Sequence, residues 1–148
     1  MNKSYLCYTD GGCDNKSDDG EGSSAWIIFH DRKEISRKSF GIVNTTNNRC
    51  ELRAIIGAIK EIPEGSKIII RTDSKYCILV LSSLNKIYPK NMDLVNDFRI
   101  LRSHMKSIIF QWVKGHKGDK FNEICDNMCS DMIEEVRKSN SSLVDKQL

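Results

Sequence analysis

Apolar and polar positions change rhythm several times along this chain, and each change marks an element. Tyr5–Thr9 is a short aromatic and apolar run, the composition of a strand covered on both faces, and it stops at Asp10. Ala25–His30 and Lys38–Val43 read as two more strands joined by a polar turn at Asp31–Glu34, which makes an antiparallel meander. From Asn48 the period lengthens: Ala54, Ile55, Ala58, Ile59 and Ile62 form a helical stripe that Pro63 and Gly65 end. Lys67–Thr72 is again strand-like, and a right-handed crossover returns it parallel to the first strand. Helices follow at Tyr76–Leu84 and Asp93–Met105, then a strand at Ser107–Val113, a basic loop at Lys114–Lys120 and a closing helix at Phe121–Val136. The prediction is an α/β domain over residues 1–138, with a mixed sheet flanked by helices and a polar tail at 139–148.

Acids punctuate this pattern. Asp10 and Asp73 each follow a threonine at the end of a strand-like run, so two parallel neighbours would carry them on one sheet edge, where open α/β folds place their sites. Glu51 lies three, four and seven positions before Ala54, Ile55 and Ala58, on the core side of its helix. Asp126 borders the apolar face of the closing helix. Asp10, Asp73 and Glu51 have ordinary alternatives: a turn residue at Asp10, a helix cap at Asp73 or Ser74, and a capping box with Asn48 as N-cap for Glu51. Convergence of all four is harder to explain that way. Two unit charges ~4 Å apart repel by about 4 kcal/mol at an effective dielectric of ~20, so a cation belongs among them. Carboxylates without His or Cys ligands suit Mg²⁺ or Mn²⁺, and two such ions ~3.5–4 Å apart serve phosphodiester hydrolysis. His116, in a glycine-flanked loop, is placed to ferry a proton.

Composition narrows the classes. The 148 residues are 39% hydrophobic and 29% charged, with a net charge of +3, which permits a nucleic-acid partner without requiring one. No apolar run approaches the ~20 residues of a membrane span, and no secretory leader is evident, so a cytoplasmic protein is expected. Six cysteines at 7, 13, 50, 77, 125 and 129 include no CxxC and read as reduced thiols; a zinc site on Cys125, Cys129 and a histidine is weakly signalled. The acidic stretch at 14–22 fails as an EF-hand, because Trp26 falls where the bidentate Glu belongs.

Tyr-Thr-Asp-Gly-Gly-Cys at 8–13, Thr-Thr-Asn-Asn-Arg-Cys-Glu-Leu at 45–52, Thr-Asp-Ser-Lys-Tyr at 72–76, Trp-Val-Lys-Gly-His-Lys-Gly at 112–118 and Asn-Glu-Ile-Cys-Asp at 122–126 together resemble type 1 ribonuclease H. The blocks stand in family order, over residues 4 to about 138. The resemblance implies a ribonuclease H-like fold with a five-stranded mixed sheet. It implies a monomeric endonuclease that cuts the RNA strand of RNA/DNA hybrids with two Mg²⁺ ions, for which Mn²⁺ is a possible substitute, bound by Asp10, Glu51, Asp73 and Asp126. His116 matches the family's mobile histidine. Cys13, Asn47 and Asn48 match positions that contact RNA 2′-hydroxyls, and Thr46 and Asn91 match the grip on a DNA phosphate.

Two departures stand out. The span from Tyr76 to Asn91 is too short for the extra helix and basic protrusion that many members carry, which leaves Lys86, Lys90, Lys114, Lys117 and Lys120 for phosphate contacts. The loop at 14–22 carries four acids where the family has Gly and Pro. Two other classes remain: a catalytically silent hybrid-binding module, against which the four retained acids argue, and a related DNA nuclease, against which Asn47, Asn48 and the His116 loop argue.

Overall fold

The computed structural model describes residues 3–14, 20–115 and 118–147, with side chains of the last helix described to Ser139. Five strands form one mixed sheet: β1 (Ser4–Asp14), β2 (Glu21–His30), β3 (Lys33–Ile42), β4 (Lys67–Thr72) and β5 (Ser107–Trp112), in the order β3-β2-β1-β4-β5. Four helices flank it: α1 (Asn47–Lys60), α2 (Lys75–Ser82), α3 (Met92–Ser103) and α4 (Lys120–Gln147). The meander pairs antiparallel, while β1–β4 and β4–β5 pair parallel, as the sequence predicts.

The two inner faces of the sheet bury different residues of the same strands, following the two-residue period. Cys7, Trp26, Ile28, Ile68 and Ile70 pack with Leu52, Ile55 and Ile59 of α1, Val80 and Leu81 of α2, and Leu94, Val95 and Phe98 of α3. On the other face Tyr8 and Ile27 meet Cys125 of α4, with Leu6, Phe29, Phe121, Ile124 and Met128 around them. The apolar positions read from the helical stripes are the ones that face the sheet.

Where the structure departs from the sequence reading, short polar residues are the cause. β1 does not stop at Asp10 but continues to Asp14, because its antiparallel partner β2 stays in register from Asp10↔Ala25 to Asp14↔Glu21; only the parallel ladder to β4 ends earlier, at Tyr8↔Arg71. The first residues of β2, Glu-Gly-Ser-Ser, look like loop but are buried. Their hydroxyls are satisfied by helix carbonyls: Ser24 Oγ donates to Cys50 O at 2.7 Å and Ser23 Oγ to Cys129 O at 2.8 Å. The β2–β3 turn is only Asp31-Arg32, both at positive φ, so β3 starts five residues before Lys38, at Lys33. α4 continues as helix into the stretch read as a polar tail, and residues 83–91, between α2 and α3, hold no helix or strand.

β1 and α1 approach each other most closely at Gly11. A Cβ there would lie 2.3 Å from the backbone carbon of Cys50 and 2.4 Å from the amide nitrogen of Glu51. Replacing Gly11→Ala should therefore force the strand off the helix and destabilise the fold by on the order of 3 kcal/mol in urea unfolding, more than an overpacked site between flexible side chains costs. Native-like stability of that variant would show that β1 and α1 have room to separate.

Candidate active site

Three acids reach the cavity from three different elements. Asp10 comes from the middle of β1 and Glu51 from the first turns of α1, and they are only 3% and 6% exposed. Asp73 occupies the bend between β4 and α2 and is half-buried. The structure removes the capping alternatives for the latter two. Thr46, not Asn48, is the N-cap of α1, its Oγ1 accepting from Arg49 N at 3.3 Å, so Glu51 has no capping box to serve. Ser74 caps α2, accepting from Cys77 N at 3.1 Å. Carboxylate oxygens of Asp10, Glu51 and Asp73 lie within 4.8 Å of one another, and among the described residues no other group of His, Cys, Asp and Glu is so placed. Asp126 of α4 stands outside this triad but lines the same cavity.

Burial raises Asp10 from 3.8 to about 7, with the charges of Asp73 and, more weakly, Asp126 adding to the rise. Burial raises Glu51 well above its ordinary value, and the Asp10 and Asp73 charges push it further. A hydrogen bond links the two acids, so they titrate as a pair that holds a proton above the ordinary carboxylate range. Glu51 Oε2 is buried and has no hydrogen-bond partner. An orphaned oxygen beside two further carboxylates is a donor set for a hard cation, and the set fits Mg²⁺ or Mn²⁺ rather than zinc.

The cavity measures about 410 Å³ and is also lined by Gly11, Gly12, Cys13, Asn47, Asn48, Ser74 and Ile133. Asn47 Oδ1 accepts from Cys13 N at 3.1 Å, and Cys13 Sγ donates to Thr45 O at 3.5 Å, which ties the start of α1 to the end of β1. The predicted trio of Cys13, Asn47 and Asn48 is thus assembled beside the acids. Thr46 and Asn91 do not line this cavity. Thr46 caps α1, and Asn91 is reached by the Arg49 side chain: its Nη1 donates to Asn91 Oδ1 at 3.2 Å, its two Nη atoms grip Asp93 at 2.9 and 2.7 Å, and Asn91 Nδ2 donates to Tyr76 OH at 2.8 Å. This grip pulls Asp93 down to about 2. Asn91 is held in the left-handed region at φ 64°. Arg49 was not singled out in the sequence although it stands inside the 45–52 block; a lone arginine in a first helical turn, where cations are disfavoured, was the available signal.

His116 and Lys117 lie outside the described residues, as do Asp18 and Asp19 of the acidic loop. Of the other two acids there, Asp14 pairs with Arg137 of α4 and Glu21 is buried. Cys125 and Cys129 form no zinc site among the described residues; their buried thiols donate to Tyr8 O and Asp10 O, and all six cysteines are free. A larger hollow of about 500 Å³ is lined by Tyr5, Leu6, Tyr8, Phe29, Ile69 and Phe121 together with Ser4, Asp31 and Arg32, but it carries no acid cluster. No helix of the described residues is long and apolar enough to cross a membrane.

Comparison with known proteins agrees with the geometry. The ribonuclease H from Caldicellulosiruptor saccharolyticus is 34% identical, the match covering 91% of this chain and 99% of that protein. Ribonuclease HI from Campylobacter jejuni is 35% identical over 90% of this chain and 93% of its own length. A solved N-terminal RNase H domain from Mycobacterium tuberculosis superposes with a TM-score of 0.77 over 93% of this chain and 98% of that one, at 20% identity, and so shares the fold. The RNase H family model matches residues 2–134, nearly the whole described sheet and its helices. The chain is a ribonuclease H enzyme and belongs to the RNase H family.

Proposed function

We propose that this chain hydrolyses the RNA strand of RNA/DNA hybrids endonucleolytically, and that Asp10, Glu51, Asp73 and Asp126 hold two Mg²⁺ ions for the reaction, with Mn²⁺ able to replace them. The observation that carries the reading is the buried triad of Asp10, Glu51 and Asp73, oxygens within 4.8 Å, opening into a cavity whose wall bears Cys13, Asn47 and Asn48. Bound divalent ions supply Lewis acidity and a water of lowered pKa. The protein residues do the rest. Asp10 and Glu51, fixed on a strand and a helix, orient the donor oxygens, while their burial keeps competing water out. Asp126 brings a fourth carboxylate from the opposite wall.

Asn47 and Asn48 are exposed at the start of α1 and offer amides to a ribose 2′-hydroxyl, the group that separates RNA from DNA. Thr46, the cap of α1, and Asn91, held by Arg49, would grip a phosphate of the DNA strand. His116 would move a proton or hasten product release. Lys86, Lys90, Lys114, Lys117 and Lys120 supply the remaining phosphate contacts in the absence of a basic protrusion, so affinity should depend only shallowly on salt. We place the working enzyme, as a monomer, in the cytoplasm.

A duplex with labelled RNA in one strand and DNA in the other should be cut internally in the RNA strand only, given Mg²⁺. Asp73→Asn should lower the rate about 10³-fold with the fold intact, the loss of several kcal/mol of transition-state stabilisation. Near-native cleavage by that variant, or equal cutting of a DNA duplex, would sink the proposal.

The raised carboxyls make a second prediction. Folded protein without metal holds protons on Asp10 that the unfolded chain releases between pH 3.8 and about 7, so this acid's contribution to stability falls as pH rises through that window. Metal-free Asp10→Asn should accordingly melt above the wild type at pH 8, with the advantage shrinking toward pH 4. Mg²⁺ should raise the wild-type melting temperature at pH 8 more than at pH 5. Equal melting of the two proteins at every pH would contradict the burial of this charge.

A further inference from the structure

The end of β5 closes around Asp73. Regular pairing between β4 and β5 stops at Thr72↔Trp112, so Asp73 has no ladder of its own, whereas Asp10 lies within β1 and Glu51 within α1. The bend is closed from within by Ser74 N, which donates to Thr72 Oγ1 at 3.0 Å, and it is held from outside by the exit of β5. Val113 N donates to Thr72 O at 2.9 Å, and Trp112 Nε1 donates to Asp73 O at 3.2 Å. Trp112 is 47% exposed, an unusual position for an indole whose role is packing. Lys75 Nζ sits 4.6 Å from the centre of its ring, a cation–π contact that steadies the ring in this pose. Directly afterwards the chain passes beneath the carboxylate: a Cβ on Gly115 would lie 2.8 Å from Asp73 Oδ2.

We infer that Trp112 is a positioning residue for Asp73, its indole N–H fixing the Asp73 carbonyl and thereby the direction in which the carboxylate enters the acid cavity. The inference rests on the cation-binding role proposed for the acids. Rotation about the bend at Asp73 would swing the carboxylate away from Asp10 and Glu51, and the indole bond resists that rotation. A half-exposed tryptophan next to a nuclease site also has an obvious alternative use, stacking on the substrate, and the two roles separate experimentally.

The test compares wild type with Trp112→Phe and with a protein carrying benzothienylalanine at 112, whose ring keeps the shape and stacking surface while sulfur replaces the N–H. Calorimetric titration with Ca²⁺ and Mn²⁺, without substrate, should show affinity weakened about 3- to 10-fold in both, the effect of one lost hydrogen bond. Melting temperatures should stay within a degree or two of wild type, and KM for the hybrid at saturating Mg²⁺ should not change. Unchanged cation affinity with a raised KM would overturn the inference in favour of a stacking contact, and a large drop in melting temperature would overturn it in favour of a structural role. Wild-type protein that binds no divalent cation would remove the reading of the acids on which it rests, whereas wild-type binding matched by both variants removes this inference alone.

Discussion

No Cβ fits between β1 and the first turn of α1 at Gly11, and the rest of the site depends on that contact. A strand and a helix normally keep a layer of side chains between them. Here the backbone of Gly11 touches the backbone of Cys50 and Glu51, so the residues on either side, Asp10 and Glu51, are brought together while still buried. Ser24 on the neighbouring strand makes the same region compatible with close approach, being small and able to bond to the Cys50 carbonyl of α1, and Ser23 does the same on the other face with Cys129 of α4. The acids do not assemble because they attract one another. Packing elsewhere, through the large clusters on both faces of the sheet, holds them in place against repulsion.

That arrangement explains which features the sequence revealed. Asp10, Glu51 and Asp73 were legible because each interrupts a clear hydrophobic period at a place where a charge has to be accommodated, and the helical stripe of α1 fixed the inward direction of Glu51. Burial of strand interiors was legible for the same reason. The start of β2 was not, since Gly and Ser are ambiguous between a solvated loop and a tight interface until the partner helix is known. The alternative of a capping box at Asn48 stayed open in the sequence because Thr and Asn both satisfy a helix N-terminus; the extended backbone of Thr46 and its bond from Arg49 N put the cap two residues earlier. Asn91 is implied by the resemblance, but what anchors it, the Arg49 side chain reaching from α1 to the start of α3, is a contact over 42 residues that no local pattern encodes.

The two halves of the cavity also differ in how deeply they are buried. The acid side stands on a strand interior and a buried helix face. The side with Asn47, Asn48 and Cys13 belongs to the same strand and helix but lies nearer solvent, with both asparagines exposed and Cys13 partly so, and Asn47 Oδ1 and Thr45 O tie the two elements together there. Buried charge and exposed amides thus share one hollow.

The position of Asp126 makes the cavity a product of two packed layers. Asp10 and Glu51 meet where α1 lies against β1, whereas Asp126 is carried by α4, which packs on β1, β2 and β3, so the wall it contributes exists only once that helix has docked. Loosening α4 would open the cavity while leaving the Asp10–Glu51 contact in place.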